Sequence, residues 1–162
     1  MNGKILGKAV ALGRQLGKIL VATADRAGLP HLAAAAKLRL RGEGRVEVDA
    51  WFCPGTMANL QENRRISLVI WNPETDRGYQ LLGETEKVED RAMMNGYIPG
   101  EENTPSLPQV ERKLIVRVDR VIDFRHAPHS DLEETGKAQD WAPRKPGREH
   151  QRGRGRGGSP PA

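Results

Sequence analysis

HLAAAAKLRLRGEGRVEVDAWF, residues 31–52, is the stretch that decides the fold class. From position 36 to 41, apolar and cationic residues alternate, which is typical of a strand with one buried and one open side. GEG at 42–44 predicts a hairpin turn, and RVEVDAWF at 45–52 predicts the returning strand. The stretch therefore indicates antiparallel pairing of neighbouring strands.

The segments on either side extend this pattern to six strands. Apolar residues spaced by three and four from Ile5 to Leu16 predict a leading helix, and TMANLQEN at 56–63 predicts a short helix after the third strand. No βαβ crossover is indicated, so the pattern favours a small barrel or a sandwich. The four further predicted strands are 18–24, 66–71, 79–90 and 113–124.

The charge of the chain is concentrated at its two ends. Residues 142–162 carry six cations and one acid, which equals the whole net charge of +5. Residues 1–41 carry eight cations and one acid, which suits an anionic ligand or a solvated basic face. Because the last segment is also of low complexity, we predict a domain at 1–128 and a C-terminal extension at 129–162. The basic Gly/Arg/Pro-rich tail from about residue 142 is expected to be disordered.

The sequence favours a cytoplasmic protein. Cys53 is the only cysteine, so no disulfide can form within the chain, and a reducing compartment fits. Cations interrupt the first twenty residues, which excludes the apolar core of a signal peptide. No run reaches the roughly 20 apolar residues of a membrane span, so no membrane partner is expected.

Catalytic and metal-binding motifs are missing from the sequence. The four histidines lack the spacing or the cysteine neighbours of a zinc site, so we predict no metal. GxSxG, HExxH, P-loop and GxGxxG patterns do not occur, and the catalytic residues stay unknown. RGRGRGG at 152–158 resembles RNA-binding segments but has no interleaved aromatic residue. Nucleic-acid binding through the tail is therefore a minor alternative to a solubilising role.

CPGTMANL at 53–60 places a turn with small side chains before a helix start. The pattern predicts Thr56 as the N-cap and Asn59 at the third helical position. Free amides and the helix dipole would then favour an anion, which Gly55 would let approach the backbone closely. An ordinary capped turn is the alternative interpretation.

The order of these segments resembles the split-barrel flavoproteins related to pyridoxamine 5′-phosphate oxidase. ATADRAGLPH at 22–31 fits the family's strand motif A-T-x-D-x-x-G-x-P-H. Residues 56–60 fit the helix start T-x-x-N-L, and residues 62–68 fit E-N-x-R-x-S-L, followed by Trp71. The match covers roughly residues 19–90, and its specificity comes from the order and spacing of several motifs.

The resemblance implies a mainly β fold: a six-stranded antiparallel split β-barrel with Greek-key connections. It also implies a homodimer with one FMN at each end of the interface. The FMN phosphate would lie at the turn before Thr56, and two strands would line the flavin. The cofactor-binding residues implied in this way are Ala34, Ala35, Ala36, Lys37, Trp51, Phe52, Cys53, Gly55, Thr56, Met57 and Asn59.

Two departures from the family pattern limit the functional expectation. Many relatives have a lysine or an arginine-lysine pair at or before the position of Thr56, where this chain has Gly55. The phosphate would then rely on Lys37 or Arg39, the Thr56 hydroxyl and backbone amides. The tryptophan-arginine-leucine-proline signature of pyridoxamine phosphate oxidase itself does not follow the last strand, so vitamin B6 oxidation is not expected.

The resulting functional hypothesis is an FMN-binding flavoprotein, a flavin-dependent oxidoreductase of unknown substrate. A flavin-binding or electron-transfer protein without turnover is the alternative, and a nucleic-acid-binding barrel ranks third. A deazaflavin or haem in the same cleft stays open, because sibling groups of the superfamily use them.

Overall fold

A computed structural model describes residues 3–94 and 109–127. The predicted tail, the boundary at residue 128 and most of the loop predicted at 92–108 lie outside these residues. The helices are α1 (Gly3–Leu16) and α2 (Pro54–Glu62). The strands are β1 (Ile19–Ala24), β2 (Pro30–Ala35), β3 (Lys37–Leu40), β4 (Arg45–Trp51), β5 (Arg65–Asn72), β6 (Arg77–Met94) and β7 (Gln109–Phe124).

The strands form one antiparallel sheet in the order β2-β1-β5-β6-β7-β4-β3. Its two end strands, β2 and β3, are consecutive in the chain and are joined by Ala36 alone. The chain therefore brings the two ends of the sheet together, although the hydrogen-bond ladder does not close. The predicted mainly β, split-barrel class is confirmed.

One element of the prediction needs correction, because the single strand expected from position 31 to 41 is two strands, which makes seven instead of six. Its first half pairs with β1, from Pro30 opposite Ala24 to Ala35 opposite Ile19. Its second half pairs with β4 at the opposite end of the sheet. Because one straight strand cannot lie in both ladders, the backbone leaves the strand conformation at Ala36.

The interior of the barrel is filled from both the sheet and α1. The helix buries Leu6, Ala9, Val10 and Gly13 and contacts β3, β5 and β6. A Cβ at Gly13 would lie 3.0 Å from a methyl carbon of Leu38, so the glycine allows the close approach of helix and strand. The buried strand residues include Ile19, Val21, Val46, Val48, Leu68, Ile70, Leu81, Leu114 and Val116.

The outward side chains of β1, β2, β5 and β6 form a surface that we call the apolar outer face. Cross-strand partners point to the same side of a sheet. The register therefore places Leu20 beside Ala34 and Val69, and Ala22 beside Leu32. Leu20 and Leu32 are 44% and 59% exposed. The apolar outer face consists of Leu20, Ala22, Leu32, Ala34, Val69 and Leu82, together with Ser67 and Gln80, whose side chains hydrogen-bond to each other.

The outward side chains of β3, β4 and β7 form a second surface, which we call the charged outer face. The cations predicted on the open side of β3 are ion-paired here: Arg39 with Asp49, and Arg41 with Glu47. Lys113 Nζ on β7 lies 3.1 Å from the second carboxylate oxygen of Glu47. The charged outer face consists of Arg39, Arg41, Glu47, Asp49 and Lys113.

Two further observations on the described residues concern membrane-spanning helices and clusters of metal ligands. Within residues 3–94 and 109–127, neither helix is long and apolar enough to cross a membrane. Over the same ranges, no three His, Cys, Asp or Glu side chains are grouped so that they could hold a metal ion.

Candidate functional site

The predicted cofactor-binding residues come together where β2, the end of β4 and the start of α2 meet. β2 packs against both β4 and α2. The set lies around the bend at Ala36, and this bend joins the apolar outer face to the charged outer face. Sequence spacing had placed these residues in two separate segments, and the folding of the end strands toward each other unites them.

The members of the set differ in exposure. Ala34, Ala36, Lys37 and Gly55 are exposed, and the Trp51 indole is 44% exposed. Cys53, Met57 and Asn59 are half-buried. The exposed members are thus three small residues, one aromatic residue and one cation. The remaining members, Ala35, Phe52 and Thr56, are buried in the protein interior.

The predicted cap of the short helix is wrong. Helix α2 begins at Pro54, and its N-cap residue is Cys53. Proline suits the first helical position because its fixed φ matches the helix and its missing N–H would have no helical partner there. The helix therefore starts earlier than expected, and Thr56 lies in its first turn, where it is fully buried.

Asn59 is likewise not at the third helical position. Its side-chain amide donates a hydrogen bond to Thr23 Oγ1 on β1, at 3.1 Å. Since Thr23 is 4% exposed, this bond fixes α2 onto the sheet from the buried side. In the described structure, Asn59 holds the helix that carries the site.

Residues 31 and 53 form a contact that the sequence analysis missed. Nε2 of His31 lies 2.9 Å from the Cys53 sulfur, and the Thr56 hydroxyl oxygen lies 3.2 Å from the same sulfur. In the sequence, His31 stands out only as the last residue of the motif at 22–31. Its inward position on β2, alternating with the outward Leu32, is the signal that could have indicated a partner.

The surroundings of the Cys53 thiol lower its pKa. Partial burial raises the pKa, but hydrogen bonds from Thr56 and His31, the Thr56 backbone amide and the charge of His31 outweigh burial. The resulting pKa is about 7 instead of 9.0. A substantial fraction of the sulfur is therefore thiolate near neutral pH.

The cations available for a phosphate are fewer than the sequence indicated. Arg39 is paired with Asp49, whose carboxylate is 5% exposed. The second carboxylate oxygen, Oδ1, has no hydrogen-bond partner among the described residues. Lys37 lies opposite Asp49 in the ladder and is exposed, so it is the cation of the predicted set that can reach a ligand.

The site fits the flat ring of a flavin better than it fits the phosphate. Ala34 and Ala36 are exposed residues with small side chains, and β2, which carries Ala34, packs against the strand that carries the exposed Trp51. Gly55 has no side chain in the first turn of α2. A Cβ there would lie 3.4 Å from His31 Nε2, in ordinary van der Waals contact. The Thr56 hydroxyl is buried against Cys53, which leaves Lys37 and backbone amides as the phosphate contacts.

A cavity of about 420 Å³ lies beside the other end of α2. It opens on the outer side of β1, β5 and β6, and charged residues of β5 and β7 border it. The sequence analysis did not predict this cavity. Its lining includes Ala22, Pro30, Asn63, Arg65, Leu82 and Arg120.

No family model and no curated protein matches the sequence. Solved structures do match the fold. HupZ from Group A Streptococcus is 18% identical, with a TM-score of 0.51, over 74% of this chain and 94% of its own. A Clostridium acetobutylicum protein is described as related to general stress protein 26 of B. subtilis, in the pyridoxinephosphate oxidase family. It is 16% identical, with a TM-score of 0.55, over 83% of this chain and 98% of its own.

The description of a third similar structure mentions a ligand. It is a pyridoxamine 5′-phosphate oxidase-related, FMN-binding protein from Nostoc punctiforme. The identity is 13% and the TM-score 0.54, over 76% of this chain and 84% of that protein. The chain therefore has the fold of the pyridoxamine 5′-phosphate oxidase-like proteins, as the sequence motifs indicated.

Proposed function

We propose that this protein is a homodimeric, FMN-binding split-barrel flavoprotein that acts as a flavin-dependent oxidoreductase in the cytoplasm. The observation that carries the proposal is the surface where β2, the end of β4 and the start of α2 meet, which exposes the small residues Ala34, Ala36 and Gly55 and the Trp51 indole. This surface lies at the start of α2, in a fold for which a solved example is described as FMN-binding.

Different residues would contact the ring system and the phosphate of the cofactor. Ala34 and Ala36 would contact the face of the ring system, and Trp51 would pack against it. The amides in the first turn of α2 and the ammonium group of Lys37 would meet the phosphate, since a helix N-terminus favours an anion. The bound flavin supplies the redox chemistry, while the protein supplies binding and orientation.

The apolar outer face supports the proposed homodimer. Leu20 and Leu32 are too exposed for side chains that gain about 1.5–3 kcal/mol from full burial. A second copy of the chain, packed by two-fold symmetry, would cover this face on both protomers. Because Ala34 belongs to both the face and the predicted site, the flavin would lie at the edge of the interface.

Titration with FMN and with riboflavin tests the binding proposal. We expect one FMN per chain, and weaker binding of riboflavin, which lacks the phosphate. Trp51→Ala should weaken both ligands by about tenfold, as expected for the loss of aromatic stacking worth about 1–1.5 kcal/mol. Gly55→Lys should tighten FMN alone, because it adds a cation at the first turn.

Three results would overturn or redirect the proposal. No binding of FMN at tens of micromolar would direct the titration to a deazaflavin and to haem, and failure there would end the cofactor hypothesis. FMN binding without reduction by NADH or NADPH and turnover on an acceptor would favour a flavin-binding or electron-transfer role. Salt-sensitive RNA binding that is lost with the tail would favour the third hypothesis.

A further inference from the structure

Cys53 and His31 form a nucleophile and base pair that the flavin proposal does not use. The sulfur and Nε2 are 2.9 Å apart, within the reach expected for an activated nucleophile. They come from β2 and from the N-cap of α2, so only the tertiary fold brings them together. The half-buried thiol stays accessible from solvent.

The surroundings of the sulfur stabilise its charged form. The Thr56 hydroxyl lies at 3.2 Å, and the positive end of the α2 dipole lies beside the N-cap residue. His31 is the charged group that acts on the thiol, whereas α2 contributes a hydroxyl and a backbone amide. Thiolates at helix N-termini beside a histidine are the reactive cysteines of proteins.

We propose that Cys53 is a modifiable thiol that hydroperoxides oxidise to a sulfenic acid, with His31 as its acid–base partner. The thiolate sulfur attacks one peroxide oxygen, an S–O bond forms, and the O–O bond breaks. The sulfur loses two electrons and the peroxide gains them. The departing alkoxide or hydroxide takes the proton of the His31 imidazolium and leaves as an alcohol or water.

The first turn of α2 provides room for this partner. A Cβ at Gly55 would lie 3.4–3.7 Å from atoms of the His31 ring, in ordinary van der Waals contact, so Gly55 lies directly beside the imidazole. The Thr56 hydroxyl is fixed by its complete burial. The pair therefore has a defined geometry in the chain without a ligand.

Alkylation of the full-length protein by iodoacetamide across pH 5–10 tests the pair. Because Cys53 is the only cysteine, the mass of the intact chain reports on this thiol alone. We expect a midpoint near the pKa of about 7. His31→Gln should raise the midpoint toward the roughly 8.5 of a free cysteine. His126→Gln is the matched control, because His126 is an exposed histidine whose backbone N–H donates a hydrogen bond to Asp76. This variant should leave the midpoint unchanged.

Hydrogen peroxide followed by dimedone, a reagent for sulfenic acids, tests the oxidation step. We expect the adduct on Cys53 in the unmodified chain and in His126→Gln, and at least threefold slower formation in His31→Gln at pH 7. Thr56→Val provides a second variant if His31→Gln does not fold, and it should also raise the alkylation midpoint. Circular dichroism verifies the fold of each variant.

A wild-type midpoint of 8.5 or above would overturn the proposal, as would equal peroxide reactivity in His31→Gln. Alkylation that occurs only after unfolding in urea would do the same. These measurements need no added FMN. Failure of the flavin proposal would therefore leave the alkylation midpoint unchanged, and failure of this proposal would leave the FMN titration unchanged.

Discussion

The two outer faces of the barrel are built from the same kind of strand but present opposite chemistry. On the charged outer face, Glu47 forms ion pairs with Arg41 on β3 and with Lys113 on β7. Asp49 on the same face is 5% exposed. On the apolar outer face, Leu20 and Leu32 have no such cover. The charged face pairs its cations Arg39, Arg41 and Lys113 with carboxylates of the same protomer, whereas the apolar face leaves hydrophobic area in contact with water.

The difference bears on where the proposed homodimer would form. Contiguous exposed apolar surface marks interaction sites, whereas ion-paired polar surface is stable in water. The predicted flavin residues lie at the bend at Ala36, where these two faces meet. We infer that one face serves association and the other serves the solubility and stability of each protomer.

The largest expected effect comes from a charge placed on the apolar face. Leu32→Asp should raise the dimer dissociation constant by about 100-fold or more, because each of two leucines loses roughly 1.5–3 kcal/mol of burial. Leu40→Asp is the matched control, since Leu40 on β3 is 51% exposed, close to the 59% of Leu32. Sedimentation velocity over a concentration series measures both variants. Equal dissociation in the two, or a wild-type monomer at micromolar concentration, would contradict the assignment of the interface.

The next effect concerns the ion pairs of the charged face. Glu47→Gln leaves the Lys113 ammonium, whose side chain is 11% exposed, without its carboxylate. We expect the free energy of unfolding to fall by about 3 kcal/mol, the low end for a broken buried pair. Glu86→Gln is the control, because its partner Arg45 has a side chain that is 42% exposed, and it should have a much smaller effect. Urea denaturation compares them, and equal losses would show that burial does not distinguish the pairs.

The smallest effect is a loss of stability in acid. A hydrogen bond from the Arg45 side chain lowers the pKa of Glu86 below its ordinary value of 4.5. A hydrogen bond from the Lys87 side chain lowers the pKa of Glu89 in the same way. Because the folded pKa is depressed, the stabilisation is complete above pH 4.5 and is lost as the pH falls through the folded pKa. The double variant Glu86→Gln/Glu89→Gln should therefore show a flatter decline in urea midpoint between pH 6 and 3.5. An identical decline in wild type and variant would show that these exposed pairs contribute nothing.

Local pattern predicted most of the secondary structure, because alternation and turn residues act over a few positions. The hairpin around residues 42–44 and the leading helix occur as expected. The expected start of α2 is too late, because Thr56 is a common capping residue but Pro54 occupies the first helical position, which proline suits. The division of the strand at Ala36 could not be predicted locally, since no turn residue interrupts residues 31–41 and only the different partners of the two halves require the bend.

The sequence by itself determined the strand-forming segments, the family resemblance and the small residues of the predicted site. These depend on residue type and spacing along the chain. The tertiary structure decided which charges are paired, as with Arg39 and Asp49, and that His31 lies against Cys53. It did so because β2 and β3 diverge to opposite ends of the sheet, so contacts are fixed by strand register across distant segments and not by neighbours in sequence.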